Sequence, residues 1–137
     1  MIEVICGEKG NGKTKIMLQK TNEIISQAQG AVVYIDKSSQ HMYELNNQIR
    51  LINITEYPVT TYEGFIGFVS GLLSGNHDIE CVFIDSLLKV AYLDRDNITS
   101  AIETLERLSN NVKFICSISL SEGDLPQSVR EKIIVSC

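Results

Sequence analysis

Gly7-Glu8-Lys9-Gly10-Asn11-Gly12-Lys13-Thr14 follows directly on the apolar run Ile2-Glu3-Val4-Ile5-Cys6 and leads into a stretch of helical periodicity. The segment fits the pattern G-x-x-x-x-G-K-[ST], and its spacing has a chemical reason. Glycines adopt positive φ at no steric cost, so the backbone can wrap until successive N–H groups point inward. A helix that starts at Gly12 or Lys13 adds its own unpaired N–H groups and the positive end of its dipole. The ligand such a turn suits is a phosphate chain. Gly7, Glu8, Lys9, Gly10, Asn11, Gly12, Lys13, Thr14 and Lys15 are therefore the candidate binding residues. The Lys13 ammonium has the length to reach β- and γ-phosphates, and in chemistry governed by charge stabilisation it is the candidate catalytic group. The Thr14 hydroxyl is a candidate ligand for Mg²⁺, while Lys9 and Lys15 flank the loop and add to its field.

A metal beside a phosphate chain needs a carboxylate. Cys81-Val82-Phe83-Ile84-Asp85 is an apolar strand that ends in one. In a parallel sheet Asp85 falls at the carboxyl edge, the same edge as the turn after the first strand. This is the Walker B form, the companion of the Walker A loop at residues 7–14, and it makes Asp85 the second candidate metal residue.

The rest of the chain alternates short β-rich runs with helix-period stretches. Strands are expected at Ile2–Cys6, Ala31–Asp36, Arg50–Thr55, Cys81–Asp85, Val112–Ser117 and Lys132–Ser136. Helices are expected over Lys13–Ala28, closed by Gly30, over Thr60–Leu73, opened by a capping box of Thr60 and Glu63, and from Asp96 or Asn97. A short helix is expected around Gln40–Asn46, and another after Pro126. Several strands are almost continuously apolar, as strands covered by helices on both faces are. The pattern predicts one α/β domain over residues 1–137, with three layers and a mostly parallel sheet of five to six strands.

Composition narrows the function. The 137 residues are 44% hydrophobic and 21% charged, with a net charge of −5. That balance gives no strong signal for a nucleic-acid partner, which favours excess positive charge. The charge is uneven: residues 1–20 hold four lysines and two glutamates, and the remainder holds 8 basic against 15 acidic residues. The one basic end is the phosphate turn. No apolar run approaches the ~20 residues that span a bilayer, and the first residues lack the pattern of an export signal. A cytoplasmic protein is the expectation. Cys6, Cys81, Cys116 and Cys137 form no C-x-x-C pair, so they read as small buried hydrophobes and not as a zinc site.

With the loop, the metal strand and their order in view, the chain resembles the RecA-like group of P-loop ATPases over about residues 2–118. Tyr34-Ile35-Asp36 is similar to that family's second strand, and Asp85-Ser86 to its frequent Walker B ending. The resemblance implies the three-layer P-loop NTPase fold, with the strand at Val112–Ser117 between the loop strand and the Asp85 strand. It also implies ATP and Mg²⁺ as ligands, hydrolysis of the nucleotide, and as partners a second copy of the chain or another protein. The chain departs from the family at the water-orienting glutamate. Two positions after Asp36 stands Ser38, and directly after Asp85 stands Ser86, with Glu44 farther along. The sensor of the middle strand falls on Ser117 or Ser119. These departures point to hydrolysis that is slow or stimulated by a partner, with a non-hydrolysing nucleotide-gated module as the alternative and a small-molecule phosphotransferase behind both. Arg95 and Arg130 are candidates for an arginine supplied to a neighbour. A GTPase is disfavoured, because Asp85-Ser86-Leu87-Leu88 lacks the D-x-x-G glycine. A nucleotide kinase is disfavoured because Arg50, Arg95, Arg107 and Arg130 do not cluster.

Overall fold

In the computed structural model, which describes residues 1–137, the apolar runs of the sequence become six strands of one sheet. They are β1 (Ile2–Cys6), β2 (Ala31–Asp36), β3 (Arg50–Asn53), β4 (Ile79–Ile84), β5 (Lys113–Ile118) and β6 (Ile133–Ser136). Their order is β3-β2-β4-β5-β1-β6, and every pairing is parallel. β5 lies between the loop strand β1 and the metal strand β4, as the resemblance implies.

The helices are α1 (Lys13–Ile25), α2 (Tyr62–Gly75), α3 (Leu87–Val90), α4 (Ile98–Ser109) and α5 (Gln127–Arg130). Alternate strand residues face opposite layers. Val33, Ile35, Val82, Ile84, Phe114 and Cys116 enter one core with Phe65, Val69, Leu87, Ile102 and Leu105 of the helices that follow β3 and β4. Val32, Tyr34, Cys81, Phe83 and Ile115 enter the other with Met17 and Leu18 of α1. α1 is thus the helix that packs on the second face, which fixes its N-terminus over the carboxyl ends of the central strands.

Of the boundaries that differ from expectation, three have clear local reasons. The third strand stops at Asn53, because the Asn53 side chain accepts hydrogen bonds from Thr55 N at 3.1 Å and Thr55 Oγ1, turning the chain into a 3-10 segment at Ile54–Glu56. α2 is capped by Thr61 and not by Thr60: Thr61 Oγ1 accepts from Gly64 N at 2.9 Å, so the third helical position is Gly64 and Glu63 has no boxed partner. Gly30 does not close α1, which ends at Ile25.

Gly30 has a different task. A Cβ there would collide with the Asp78 carbonyl oxygen and press on the Glu80 side chain. Glu80 Oε1 also accepts from the amides of Gln29 and Gly30, both at 3.2 Å. Glycine is required where β2 enters the sheet against β4. Gly30→Ala should therefore destabilise the chain by about 1–3 kcal/mol through forced backbone displacement, read as a lower midpoint in urea denaturation.

Three of the cysteines behave as expected of small core residues. Cys6, Cys81 and Cys116 are buried, unpaired thiols, whereas Cys137 is exposed. Burial pushes the Cys81 thiol up to about 12 and also raises Cys116, so neither is poised for reaction. No helix is long and apolar enough to cross a membrane.

Candidate functional site

The turn after β1 is held open by its glycines. Gly10 and Gly12 have φ of 89° and 87°, a region costly for residues that carry a Cβ. Gly12 caps α1, whose first bond runs from Ile16 N to Gly12 O at 3.3 Å. The amides of Lys13, Thr14 and Lys15 consequently have no partner within the helix. Two other amides of the motif are bonded already: Gly7 N donates to Leu120 O at 2.8 Å, and Asn11 N to Glu8 O at 3.2 Å. The first pins the start of the turn to the end of β5, and the second closes its tip.

This geometry divides the candidate residues. Lys9, Gly10, Gly12, Lys13, Thr14 and Lys15 line a cavity of about 350 Å³, which Asp85 also lines. Gly7, Glu8 and Asn11 do not line it; they shape the turn. Lys13 is only 7% exposed, and its Nζ donates to Glu8 O at 3.0 Å. Burial pushes the Lys13 ammonium below its usual range, with Cys137 and Asp85 partly offsetting that loss. An anion entering the cavity would relieve this cost by supplying the missing counter-charge.

Asp85 is 3% exposed and follows the last residue of β4. Its N–H donates to Ile35 O at 2.9 Å, so the sheet register extends to it. Its two oxygens are held separately: Tyr34 Oη donates to Oδ2 at 2.8 Å, and Ser117 Oγ donates to Oδ1 at 2.7 Å. Ser117 Oγ also accepts from Ser86 N at 2.7 Å. Of the two serines open for the sensor position, Ser117 therefore touches the carboxylate, and Ser119 lines the cavity.

Sequence reasoning assigned no role to Tyr34, which read as one more core residue of an apolar strand. It is fully buried and stacks on Phe83, with ring centroids 6.0 Å apart. Burial, together with the charge and hydrogen bond of Asp85, raises its hydroxyl far above the usual phenol range, so it stays a donor. Tyr34→Phe should cost about 1.5–3 kcal/mol of stability, the range for a hydrogen bond to a charged acceptor. It should also loosen Asp85, seen as a weaker Mg²⁺ dependence in ligand titrations.

Three more residues gather at this edge unannounced. Lys37, just past β2, lines the cavity and donates from Nζ to Ser86 Oγ at 3.0 Å. Lys89 lies on α3 and also lines the cavity. Ser86 has φ 60° and ψ 58°, a left-handed conformation rare without glycine. Its amide and hydroxyl are each fixed by a partner, which is how such strain persists at a site.

Asp36 ends β2 and lies level with Asp85, each one position past the Ile35–Ile84 pair. It is 3% exposed; Oδ1 accepts from Lys37 N at 2.7 Å, and Oδ2 is buried without a partner. Burial pushes its carboxyl up. The folded chain thus keeps this proton at pH values where the unfolded chain has lost it, and stability falls as pH rises through that interval. Asp36→Asn should flatten this slope when denaturation midpoints are compared from mildly acidic to neutral pH.

The remaining candidates lie elsewhere. Glu44 pairs with His41 Nδ1 at 2.5 Å, Arg95 pairs with Asp124 at 3.7 Å, and Arg130 Nε donates to Leu125 O at 2.7 Å. None of the three lines the cavity.

No protein-family profile matches the chain, and comparison with curated sequences finds no relative. Similarity appears among solved structures. The flagellar accessory protein FlaH from Methanocaldococcus jannaschii superposes with a TM-score of 0.62 at 15% identity, over 93% of this chain and 64% of FlaH. PCH-2 of C. elegans gives 0.54 at 13% identity, over 98% of this chain and 34% of PCH-2. The chain thus spans less than two-thirds of either neighbour. The likeness is one of fold: a three-layer α/β P-loop NTPase fold of RecA-like type around an all-parallel six-stranded sheet.

Proposed function

We propose that the chain binds a nucleoside triphosphate, ATP by its family resemblance, together with Mg²⁺, and hydrolyses it slowly or under the influence of a partner. The observation that carries this reading is the placement of the buried Lys13 ammonium and the free amides at the start of α1 around one cavity with Asp85.

The donor set suits Mg²⁺ in particular. No cluster of three or more His, Cys, Asp or Glu side chains could hold a metal ion by itself. Mg²⁺ is commonly held by one or two carboxylates, waters and the substrate's own phosphates. Asp85 and the Thr14 hydroxyl offer that partial shell. When bound, the ion would neutralise charge on the phosphates. Lys13 would leave Glu8 O for a phosphate oxygen, the amides of Lys13, Thr14 and Lys15 would orient the chain, and Tyr34 and Ser117 would keep Asp85 from turning away.

Asp85 is the sole carboxylate lining the cavity, and Glu44 is engaged by His41. Positioning of the attacking water is the part left incomplete, which lowers turnover without removing binding. The same observation favours a second reading, a nucleotide-gated module that does not turn over. A second copy of this chain or another protein could complete the site in trans.

Phosphate release under saturating Mg-ATP separates the two. Slow, steady release that disappears in Lys13→Ala supports hydrolysis. Binding without release above the buffer rate supports the gated module, and the absence of both contradicts the proposal.

A further inference from the structure

The cavity is unusual in its coating. None of its eleven lining residues is hydrophobic, and five are lysines: Lys9, Lys13, Lys15, Lys37 and Lys89. Pockets that enclose a whole small molecule are lined mainly by apolar and aromatic side chains, with a few polar groups to orient it. Here the proportion is inverted.

No aromatic side chain lines the cavity wall. Tyr34, Phe65, Phe83 and Phe114 are fully buried. Tyr62 and Phe68 pack against the core, Phe68 beside Tyr57. Tyr43 and Tyr57 line a separate hollow beside β3, and Tyr92 Oη donates to Val59 O at 3.0 Å. Nothing in the cavity offers a purine a face to stack on.

The cationic lining, by contrast, comes from three places. Lys9, Lys13 and Lys15 belong to the loop and α1, Lys37 to the end of β2, and Lys89 to α3. They face one carboxylate, Asp85, both of whose oxygens already accept hydrogen bonds. Lysines act as mobile point charges and suit phosphate oxygens at several positions along a chain.

We propose that this cavity reads the polyphosphate chain and not the base, so that its ligand class is triphosphates in general, inorganic tripolyphosphate included. Lys37 and Lys89 contact the phosphates from within the same chain. The proposal rests on the triphosphate-binding reading above and extends it beyond ATP: discrimination requires interactions that one base makes and another lacks, and no apolar or aromatic side chain lines the cavity to hold a base.

The test is direct calorimetric titration of the full chain, with Mg²⁺ present, by ATP, GTP, CTP, inorganic tripolyphosphate and adenosine. The three nucleotides should bind within about threefold of one another, and tripolyphosphate within about tenfold of ATP, while adenosine should give no heat. Lys37→Ala and Lys89→Ala should each weaken all four phosphate ligands by a similar factor of about 5 or more. ATP binding that exceeds GTP, CTP or tripolyphosphate by more than tenfold would overturn base indifference and leave the triphosphate reading standing. Unchanged affinities in both lysine variants would overturn their contact role. If ATP itself fails to bind, the underlying reading falls with the proposal.

Discussion

Lys13→Ala should abolish measurable triphosphate binding while leaving the fold as stable as before. The two halves of that expectation have one cause. Lys13 is buried, and its ammonium is bonded to a single carbonyl, Glu8 O. Its lowered pKa records burial that its neighbours do not fully offset. In the free protein the charge is therefore a cost, and alanine removes it while Glu8 O, on an exposed residue, turns to water. In the complex the same charge meets phosphate oxygens away from bulk solvent. Truncating one partner of such a pair costs about 2–5 kcal/mol, or roughly thirtyfold to several thousandfold in affinity. Calorimetry on the variant, with urea denaturation beside it, reads both. An unstable variant or one that retains near wild-type affinity would be at odds with this account.

Protons follow from the same shift. The folded pKa of Lys13 lies below its unfolded value, so between the two the unfolded chain binds more protons and stability rises with pH. A bound polyanion pulls the pKa back up. Ligand binding should consequently take up protons at alkaline pH, weaken as pH rises through the lowered pKa, and lose both properties in Lys13→Ala. Titrations in buffers of different ionisation enthalpy detect that uptake.

The second large effect is expected at Asp85. Asp85→Ala leaves the hydroxyls of Tyr34 and Ser117 without their acceptor in a buried setting. Each orphaned donor costs about 1–3 kcal/mol, so about 2–6 kcal/mol of stability should be lost in all. Asp85→Asn keeps the shape and one carbonyl oxygen, and the loss should be smaller. Both variants should bind triphosphate with little dependence on Mg²⁺, because the protein's only carboxylate at the cavity is gone. An Asp85→Asn protein that folds and keeps the full Mg²⁺ effect would remove Asp85 from the metal's shell.

What could be read from the sequence was local. Gly7–Thr14 declares itself because backbone wrapping, helix start and charge fall within eight consecutive residues. Asp85 declares itself because an apolar run ends there. The placement of the Val112–Ser117 strand between the loop strand and the Asp85 strand followed from family resemblance, and the rest of the strand order was not legible, since pairings between distant strands leave no local trace. The missed residues share that reason. Tyr34 looks like core, and is core; its hydroxyl matters through a partner 51 positions away. Lys89 sits on a four-residue helix, too short for a period to show. Lys37 and Ser86 meet across 49 positions. Gly30 reads as a helix terminator, and that reading fails; its actual task, the close approach of the Asp78 carbonyl, depends on a distant segment. The Thr60–Thr61 ambiguity is of another kind: adjacent hydroxyls both satisfy the capping rule, and backbone geometry decides.

The central claim is that the free amides at the start of α1, with the Lys13 ammonium, enclose a phosphate chain. A crystal structure of the protein with Mg²⁺ and a nonhydrolysable ATP analogue tests it most directly. The account predicts the β-phosphate within hydrogen-bonding reach of the Lys13 and Thr14 amides, with Lys13 Nζ moved from Glu8 O onto phosphate oxygens. A cavity left empty at saturating analogue, with Lys13 still bonded to Glu8 O, would contradict it.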